Sequence, residues 1–161
     1  HGTVIQSGKV VWDYEDARVG GGIVGFNKDY VLVLGRMTAK QALAKGIRDC
    51  VEFGPFLIVN GKASFVQGDG GWGIQPRTAI GQRKDGSILM LVIDGRQADS
   101  LGATLKNVQD IFLQHGAYNA FNLDGGASTT MFYDSKLVNN PSDIMGERYV
   151  PCAFIITKPK K

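Results

Sequence analysis

Tight-turn signals between short apolar runs constrain this chain more than any other feature of its sequence. Ser7-Gly8, Asn60-Gly61, Asp85-Gly86 and Asp134-Ser135 each stand between two such runs. A two-residue turn of this composition joins neighbouring antiparallel strands, because Gly, Asn and Asp tolerate the positive φ that it requires. The 22 glycines indicate further turns. The sequence therefore predicts several β-hairpins and more strand than helix.

Two helix signals interrupt the predicted strands. Thr38-Ala39-Lys40-Gln41 has the form of a capping box, which predicts a short helix that runs to about Lys45. Thr104 can cap a second helix, whose apolar stripe ends at Gly116. Residues 47–53 are compatible with either helix or strand. We therefore expect an α+β fold with a mixed, twisted β-sheet, several hairpins and two or three short helices.

Length and composition limit the classes of protein to which this chain can belong. A chain of 161 residues with 43% hydrophobic residues suits one packed domain, which we place at residues 1–157, followed by a basic tail at 158–161. The net charge of +3 comes partly from that tail, and no basic stripe with interleaved aromatics predicts nucleic-acid binding. No apolar run is long enough to span a membrane. Cys50 and Cys152 can form a disulfide or stay reduced, and we prefer free thiols.

The hairpin around Asp85-Gly86 brings charged residues to one end of the predicted sheet. A two-residue turn pairs residues whose numbers sum to 171, so that Arg77 faces Asp94 at the open end of the hairpin. Such a pair is compatible either with a structural ion pair or with part of a binding site. The strand at 88–93 is apolar on both faces, which predicts a central position in the sheet.

A strand, helix, strand unit then places two Asp-Gly pairs at one edge of the sheet. If both strands belong to the same sheet, the crossover makes them parallel. Asp94-Gly95 and Asp124-Gly125 then lie at the edge where open α/β sheets bind ligands, together with Arg77, Arg96 and Asn122. Two carboxylates and two guanidiniums suit a substrate that carries an anion and a bond cleaved by acid or base.

Other polar or aromatic groups have both a functional and a structural interpretation. The stretch Asn122-Leu123-Asp124-Gly125-Gly126-Ala127-Ser128-Thr129-Thr130-Met131 has the composition of a site, whereas an ordinary Asp-Gly turn is the alternative. Trp72, in a glycine-rich loop, either stacks on a ligand or closes over the core. Glu147 and Arg148 are a spare carboxylate and cation, for which a surface position is the alternative.

Several mechanisms are disfavoured by the sequence. Gly20-Gly21-Gly22-Ile23-Val24-Gly25 contains the dinucleotide fingerprint, but it leads into strand-like residues and not into a helix. A serine hydrolase needs a histidine base and a nucleophile elbow, and Ser128 lacks the second glycine of that elbow. The histidines and cysteines match no zinc spacing. No cofactor is required, although a hard cation is compatible with the carboxylates of Asp69, Asp94, Asp124 and Glu147.

Four segments, in their order along the chain, resemble the phosphodiester glycosidase family. They are Pro76-Arg77-Thr78-Ala79-Ile80-Gly81, Asp94-Gly95-Arg96, the stretch from Asn122 to Met131, and Val138-Asn139-Asn140-Pro141-Ser142 with Glu147-Arg148. The ordered set is specific, whereas each piece alone is weak, and the match runs from near the start of the chain to Ile156. Ala127 departs from the Gly-Gly-Gly-Ser-Ser that the family more often has. Because the family's domain usually begins further upstream, we expect residues 1–157 to be an N-terminally incomplete copy.

The resemblance implies hydrolysis of a sugar 1-phosphodiester at the anomeric carbon, with N-acetylglucosamine as the candidate sugar. It implies a role in glycan, exopolysaccharide or cell-envelope metabolism, a carbohydrate phosphodiester as partner, and an extracytoplasmic or envelope location for the parent protein. Calcium is the candidate if a divalent cation is used. The candidate catalytic carboxylates are Asp124, Asp94 and Glu147. The candidate substrate ligands are Arg77, Thr78, Arg96, Asn122, Gly125, Gly126, Ser128, Thr129, Arg148 and Trp72.

Two functions of other classes fit the same residues. A non-catalytic carbohydrate-binding domain would keep the polar cluster for recognition alone and would bind a sugar without turnover. A structural domain of a larger envelope protein would use the cluster as an ion-pair network, so that removing Arg77 or Asp94 would prevent folding.

Overall fold

The computed structural model describes residues 2–13, 22–65 and 67–157. The predicted basic tail and the first two glycines of the 20–25 segment lie outside these residues. The elements in chain order are β1 (Val4–Gln6), β2 (Lys9–Trp12), β3 (Gly22–Asn27), β4 (Leu32–Gly35), α1 (Ala39–Ala44), β5 (Ile47–Phe53), β6 (Phe56–Val59), β7 (Lys62–Ala63), β8 (Arg77–Arg83), β9 (Ile88–Ile93), α2 (Leu105–Gln114), β10 (Ala117–Asn122), a 3₁₀ turn (Gly126–Ser128), β11 (Phe132–Tyr133) and β12 (Lys136–Leu137).

The strands form two five-stranded sheets and a small separate hairpin. The first sheet has the order β2-β1-β5-β3-β4, the second has the order β7-β6-β10-β8-β9, and β11 pairs with β12. With 13% helix and 37% strand, the predicted α+β class is confirmed. The strands form two sheets and not a single one, and the apolar faces of these sheets contribute to three separate cores.

These three cores define four layers. Ala42 of α1 packs with Ile5 and Ile23 on the outer face of the first sheet. Val24 and Leu32 of the first sheet meet Ile80 and Phe121 of the second between the two sheets. On the outer face of the second sheet, α2 buries its apolar stripe, with Leu105, Val108 and Phe112 against Leu57, Ala79 and Ala117.

Three of the predicted hairpins have the predicted two-residue turn. Both central residues have positive φ at Ser7-Gly8 (50° and 74°), Asn60-Gly61 (51° and 77°) and Asp134-Ser135 (49° and 60°). Two positive φ values in succession define the type I′ turn that matches the twist of the flanking strands. The register confirms this geometry, since Gln6 pairs with Lys9 and Val59 with Lys62.

The register predicted for the fourth hairpin is wrong by one residue. Arg77 pairs with Ile93 and Gln82 with Ile88, so that paired numbers sum to 170 and Arg77 does not face Asp94. The backbone N–H of Arg83 donates to Ser87 O, and Gly86 alone in the turn has positive φ, at 90°. This is a three-residue loop, in which a type I turn is followed by a left-handed glycine. A shift of one residue sends the Asp94 side chain to the opposite face from the one predicted.

The position predicted for the strand at 88–93 is also wrong, whereas its direction was predicted correctly. β9 lies at the edge of the second sheet, and Met90 is exposed. β8 stands between β9 and β10 and is antiparallel to both, which makes β9 and β10 parallel without being neighbours. The ends of β9 and β10 therefore share one edge of the sheet with the start of β8, as the strand, helix, strand unit predicted.

Both predicted helices have the predicted caps. Thr38 and Thr104 each accept a hydrogen bond from a backbone N–H three residues on, and the side chains of Gln41 and Asn107 reach back to complete the capping box. Residues 150–157 form no strand in the described chain. Phe154 is held there by a side-chain contact instead, edge-to-face on Phe26 at 6.0 Å between ring centroids. None of the helices that the structure describes is long and apolar enough to cross a membrane.

Candidate active site

The candidate site lies at the edge where β8 begins and β9 and β10 end. The Gly125-Gly126 turn follows β10 and packs against the residue that precedes β8, since the Gly126 N–H donates to Pro76 O at 2.9 Å. A Cβ at Gly125 would stand 2.6 Å from that same carbonyl oxygen, and Gly126 has φ of 58°. Both glycines are therefore required by backbone geometry, one for a close approach and the other for a left-handed conformation.

Asp124 presents its carboxylate to solvent at this turn. The side chain is exposed. The ion pairs among the described residues are Arg48–Asp49 and Lys106–Asp110, and neither involves the site. Asp124 thus has the freedom to contact a substrate, and its catalytic role stays a prediction.

Asp94 is in a different situation, because its carboxylate is already engaged. Oδ1 accepts hydrogen bonds from Asn139 Nδ2 at 2.9 Å and from the backbone N–H of Asn140 at 3.0 Å. Oδ2 shares the Asn140 N–H, also at 3.0 Å. Its main-chain oxygen accepts from Ser100 Oγ at 2.7 Å. The Asn139 and Asn140 donors join the end of β9 to the loop that follows β12, whereas Ser100 belongs to the loop that follows β9 itself.

Arg96 brings a guanidinium to the Gly125-Gly126 turn. A Cβ at Gly126 would lie 3.3 Å from Arg96 Nη2, so the turn and the guanidinium are in direct proximity. Arg96 Nε and Nη2 donate to Gln75 Oε1 at 2.8 and 2.5 Å. The backbone of Arg96 has a φ of 58°, which is uncommon for a residue other than glycine. Held by a neutral amide and by no carboxylate in the described chain, this cation is available to an anion.

Arg77 points to the face of the sheet opposite to Thr78. Like Ala79, it lies on the α2 side, because successive side chains of a strand alternate. It is 3% exposed and donates to three backbone carbonyls: Ala103 O at 2.9 Å, Trp72 O at 3.2 Å and Gly73 O at 2.5 Å. Burial lowers the pKa of the guanidinium, and the charge of Asp69 partly offsets this. Its contacts are those of an anchor for the Trp72 loop, and its role as a substrate ligand stays a prediction.

Thr78 and Thr129 join the start of β8 to the segment after the 3₁₀ turn. Thr78 Oγ1 donates to Thr129 Oγ1 at 3.3 Å, and Thr129 and Ser128 are both buried. Asn122 is buried at the end of β10 and donates through Nδ2 to Gly54 O at 2.7 Å. Its Oδ1 has no protein partner in the described chain. The structure thus brings Thr78, Asn122, Ser128 and Thr129 to the same edge as Asp124.

Trp72 is partly packed and partly exposed, so its position decides neither for stacking on a ligand nor for closing over the core. Trp72 is 49% exposed, and its ring packs edge-to-face with Phe53 at 6.2 Å between centroids. Gly70, Gly71 and Gly73 around it all have positive φ. Together with the hydrogen bonds from Arg77, these contacts hold the loop in place and leave Trp72 half-exposed.

Glu147 and Arg148 are the candidates that the structure does not bring into this cluster. Both are exposed in an irregular segment, and no side-chain contact with the site is described for either. The described residues contain no group of three or more His, Cys, Asp or Glu side chains close enough to hold a metal ion. The Asp69 carboxylate accepts from the Gly71 N–H at 2.7 Å and stabilises its own loop.

Sequence reasoning missed two residues that organise the site. Asn139 bridges Asp94 to the Thr129–Met131 segment, and Gln75 holds Arg96. The motif Val138-Asn139-Asn140-Pro141-Ser142 was part of the family resemblance and could have identified Asn139. No signal in the sequence pointed to Gln75, because its contact depends on the loop that carries Arg96.

The sequence model of the phosphodiester glycosidase family (NAGPA) matches residues 1–157. This chain belongs to that family. The SPβ prophage-derived uncharacterized protein YomE of Bacillus subtilis (strain 168) is 34% identical over 165 residues, which cover 98% of this chain and 26% of YomE. The N-acetylglucosamine-1-phosphodiester alpha-N-acetylglucosaminidase of Bos taurus is 37% identical over 70 residues, which cover 44% of this chain and 13% of the bovine protein.

A solved structure of the family has the same fold. The catalytic domain of zebrafish N-acetylglucosamine-1-phosphodiester alpha-N-acetylglucosaminidase, auto-inhibited by its pro-peptide, superposes with a TM-score of 0.71 and 28% identity. The match covers 89% of this chain and 51% of the zebrafish chain. This phosphodiester glycosidase chain therefore spans about half of the zebrafish domain and a smaller share of its curated relatives.

Proposed function

We propose that this phosphodiester glycosidase chain hydrolyses a sugar 1-phosphodiester, with N-acetylglucosamine as the sugar. Family membership supports the reaction class, and the activity that names the bovine and zebrafish relatives supports the sugar. The single observation that carries the proposal is the arrangement at the sheet edge. There an exposed carboxylate, Asp124, adjoins a glycine turn that lies against the Arg96 guanidinium.

In the proposed reaction, water adds to the anomeric carbon while the bond from that carbon to the phosphate oxygen breaks. The products are the free sugar and a phosphomonoester of the other alcohol. Phosphate is a good leaving group, so the protein must chiefly orient the water and stabilise positive charge at the ring. We assign these tasks to Asp124, whose carboxylate faces solvent with no partner described for it. Glu147, which is exposed, is the reserve carboxylate.

The anionic part of the substrate would meet the Gly125-Gly126 turn and Arg96. A guanidinium binds phosphate oxygens in a planar, bidentate geometry, which adds orientation to charge attraction. Thr78, Ser128 and Thr129 supply hydroxyls at the same edge, and Trp72 supplies a half-exposed aromatic surface. Arg148 completes the candidate ligands as an exposed cation, and Arg77 stays a candidate ligand that also holds the Trp72 loop.

The wider setting belongs to the same proposal. A sugar phosphodiester of this kind occurs in glycans and in cell-envelope or exopolysaccharide polymers, and we place the parent protein outside the cytoplasm on that ground. We propose that the reaction requires no cofactor, with calcium as the candidate if a divalent cation is used. A chelator is then expected to leave turnover unchanged.

The decisive experiment measures release of N-acetylglucosamine from a synthetic N-acetylglucosamine 1-phosphodiester. We expect turnover by the unmodified chain and a loss of at least about 100-fold for Asp124→Asn, which removes the charge and keeps the shape of the side chain. Asp134→Asn is the matched control. It makes the same chemical change at the exposed turn between β11 and β12, where Asn tolerates the positive φ.

Three outcomes would change the proposal. Full activity of Asp124→Asn would remove this residue from the mechanism. Sugar affinity without turnover would favour a carbohydrate-binding domain. Absence of both, with unfolding of the Asp94 and Arg77 variants, would favour a structural domain.

A further inference from the structure

The carboxylate of Asp94 is arranged to hold a loop. Two N–H donors, from Asn139 Nδ2 and Asn140 N, converge on its two oxygens at 2.9 to 3.0 Å. Hydrogen bonds to an ionised acceptor are about twice as strong as neutral ones. The carboxylate directs its charge towards the 139–140 loop, in contrast to the open carboxylate of Asp124.

Asn139 passes this restraint on to the segment beside the Gly125-Gly126 turn. Its Nδ2 donates to Thr129 O at 3.0 Å as well as to Asp94, and its Oδ1 accepts from the Met131 N–H at 2.8 Å. One amide side chain thereby fixes both ends of Thr129–Met131 relative to the end of β9. Thr129 in turn contacts Thr78 at the start of β8.

We propose that Asp94 is a positioning residue, which acts through Asn139 to fix the Thr129–Met131 segment at the catalytic edge, and that it transfers no proton to or from the substrate. This assignment rests on the proposed function for its kinetic consequence. It separates the two aspartates that the sequence could not distinguish: Asp124 meets the substrate, and Asp94 holds the wall of the site in place. Asn139, which the sequence analysis did not single out, and its loop neighbour Asn140 become part of the site's framework.

Removing the charge at Asp94 should release this segment. Asp94→Asn would turn an NH₂ group towards one of the donors that now approach the carboxylate, so that at least one hydrogen bond is lost. Asn139→Leu would remove the bridge and leave Asp94 intact. A displacement of about 1 Å at a site can reduce a rate by about 100-fold. We expect each variant to lower kcat by about 10- to 100-fold with little change in KM, and the double variant to lose no more than the worse single variant.

Two readouts distinguish positioning from proton transfer. The acidic limb of the pH profile of kcat/KM should persist in Asp94→Asn, because the titrating group is elsewhere. Amide hydrogen exchange, followed by NMR, should accelerate at Met131 in both single variants, because its N–H loses the restraint from Asn139. Gln97→Ala is the matched control. It removes two exposed hydrogen bonds of 2.7 Å each, from Gln97 Nε2 to Asn140 O and from Asn140 Nδ2 to Gln97 Oε1. We expect this variant to leave the amide exchange of Met131 and the kcat unchanged.

Each result supports or overturns the assignment. Loss of the acidic limb in Asp94→Asn with unchanged exchange at Met131 would make Asp94 a catalytic residue. Faster exchange with unchanged kcat would show that the restraint has no role in catalysis. If the unmodified chain does not release the sugar, the proposed function fails. The exchange data then decide on their own whether Asp94 holds Met131, and unchanged exchange would refute the assignment.

Discussion

Burial can change the chemistry of a single side chain even where no catalytic role is involved. Cys50 lies in the core between the first sheet and α1, with Ile5, Ile23 and Ile47 as neighbours. Both cysteines are free thiols in the structure, Cys50 buried and Cys152 exposed. Burial raises the pKa of the Cys50 thiol to about 11, because the thiolate would lose its hydration.

This pKa predicts a loss of stability at high pH. The unfolded chain releases the Cys50 proton near pH 9, whereas the folded chain keeps it to about pH 11. Between these values the unfolded state binds fewer protons, so the free energy of unfolding must fall as the pH rises. Below pH 9 the thiol is protonated in both states and its contribution is constant. Urea unfolding at several pH values should show a steeper fall for the unmodified chain than for Cys50→Ala.

Cys152→Ala provides the control for this measurement. That thiol is exposed, so its replacement should leave the pH dependence of the unmodified chain in place. Cys50→Ala will lower stability at every pH because it leaves a cavity, and for that reason the slope against pH is the deciding quantity. Equal slopes for Cys50→Ala and the unmodified chain would contradict the prediction.

At the scale of single elements, prediction succeeded where the signal was local. The capping boxes at Thr38 and Thr104 and the type I′ turns depend on residues within a few positions of each other. The register predicted for the hairpin around Asp85-Gly86 was wrong, because the same dipeptide fits both a two-residue turn and the end of a three-residue loop. That one-residue shift separated Arg77 from Asp94, and the error in the site followed from the error in the turn.

The turn geometry predicts how Gly86 responds to substitution. Its φ is 90°, and a Cβ there would meet nothing within 4 Å, so a side chain costs backbone strain without a clash. Gly86→Ala should lower the free energy of unfolding by about 1 to 2 kcal/mol. Gly86→Asn should cost less, because Asn adopts left-handed conformations more readily. Thermal and urea unfolding of both variants would test this order, and equal losses would contradict it.

At the scale of the whole molecule, the sequence predicted which strand ends lie at the same edge of a sheet, but it did not predict the order of the strands in each sheet. The parallel direction of β9 and β10 follows from the crossover rule and brought Asp94, Asn122 and Asp124 to one edge. The edge position of β9 depends on β8 taking the place beside β10, a long-range choice that apolar content does not encode. The contacts of Asn139 with Asp94 also join distant segments, which explains why they were missed.

The buried amide of Gln82 links the two sheets in addition to their apolar faces. Gln82 on β8 accepts from the Leu32 N–H of β4 at 2.7 Å. Its Nε2 donates to Tyr30 O at 2.8 Å and to Gly86 O at 3.1 Å. Because the side chain is 7% exposed, water cannot readily replace these bonds. The amide therefore ties the β8–β9 loop to the edge of the first sheet.

Gln82→Met keeps the length of this side chain and removes its hydrogen bonds. The Leu32 N–H would remain buried without an acceptor, and we expect a loss of about 2 to 4 kcal/mol in the free energy of unfolding. Gln114→Met, at an exposed position near the end of α2, should change stability by less than about 0.5 kcal/mol.

Because Phe121 and Val24 share one core between the sheets, tryptophan fluorescence and far-UV circular dichroism should report the same midpoint in Gln82→Met. Separate midpoints would mean that the amide, and not the shared core, makes the two sheets unfold together.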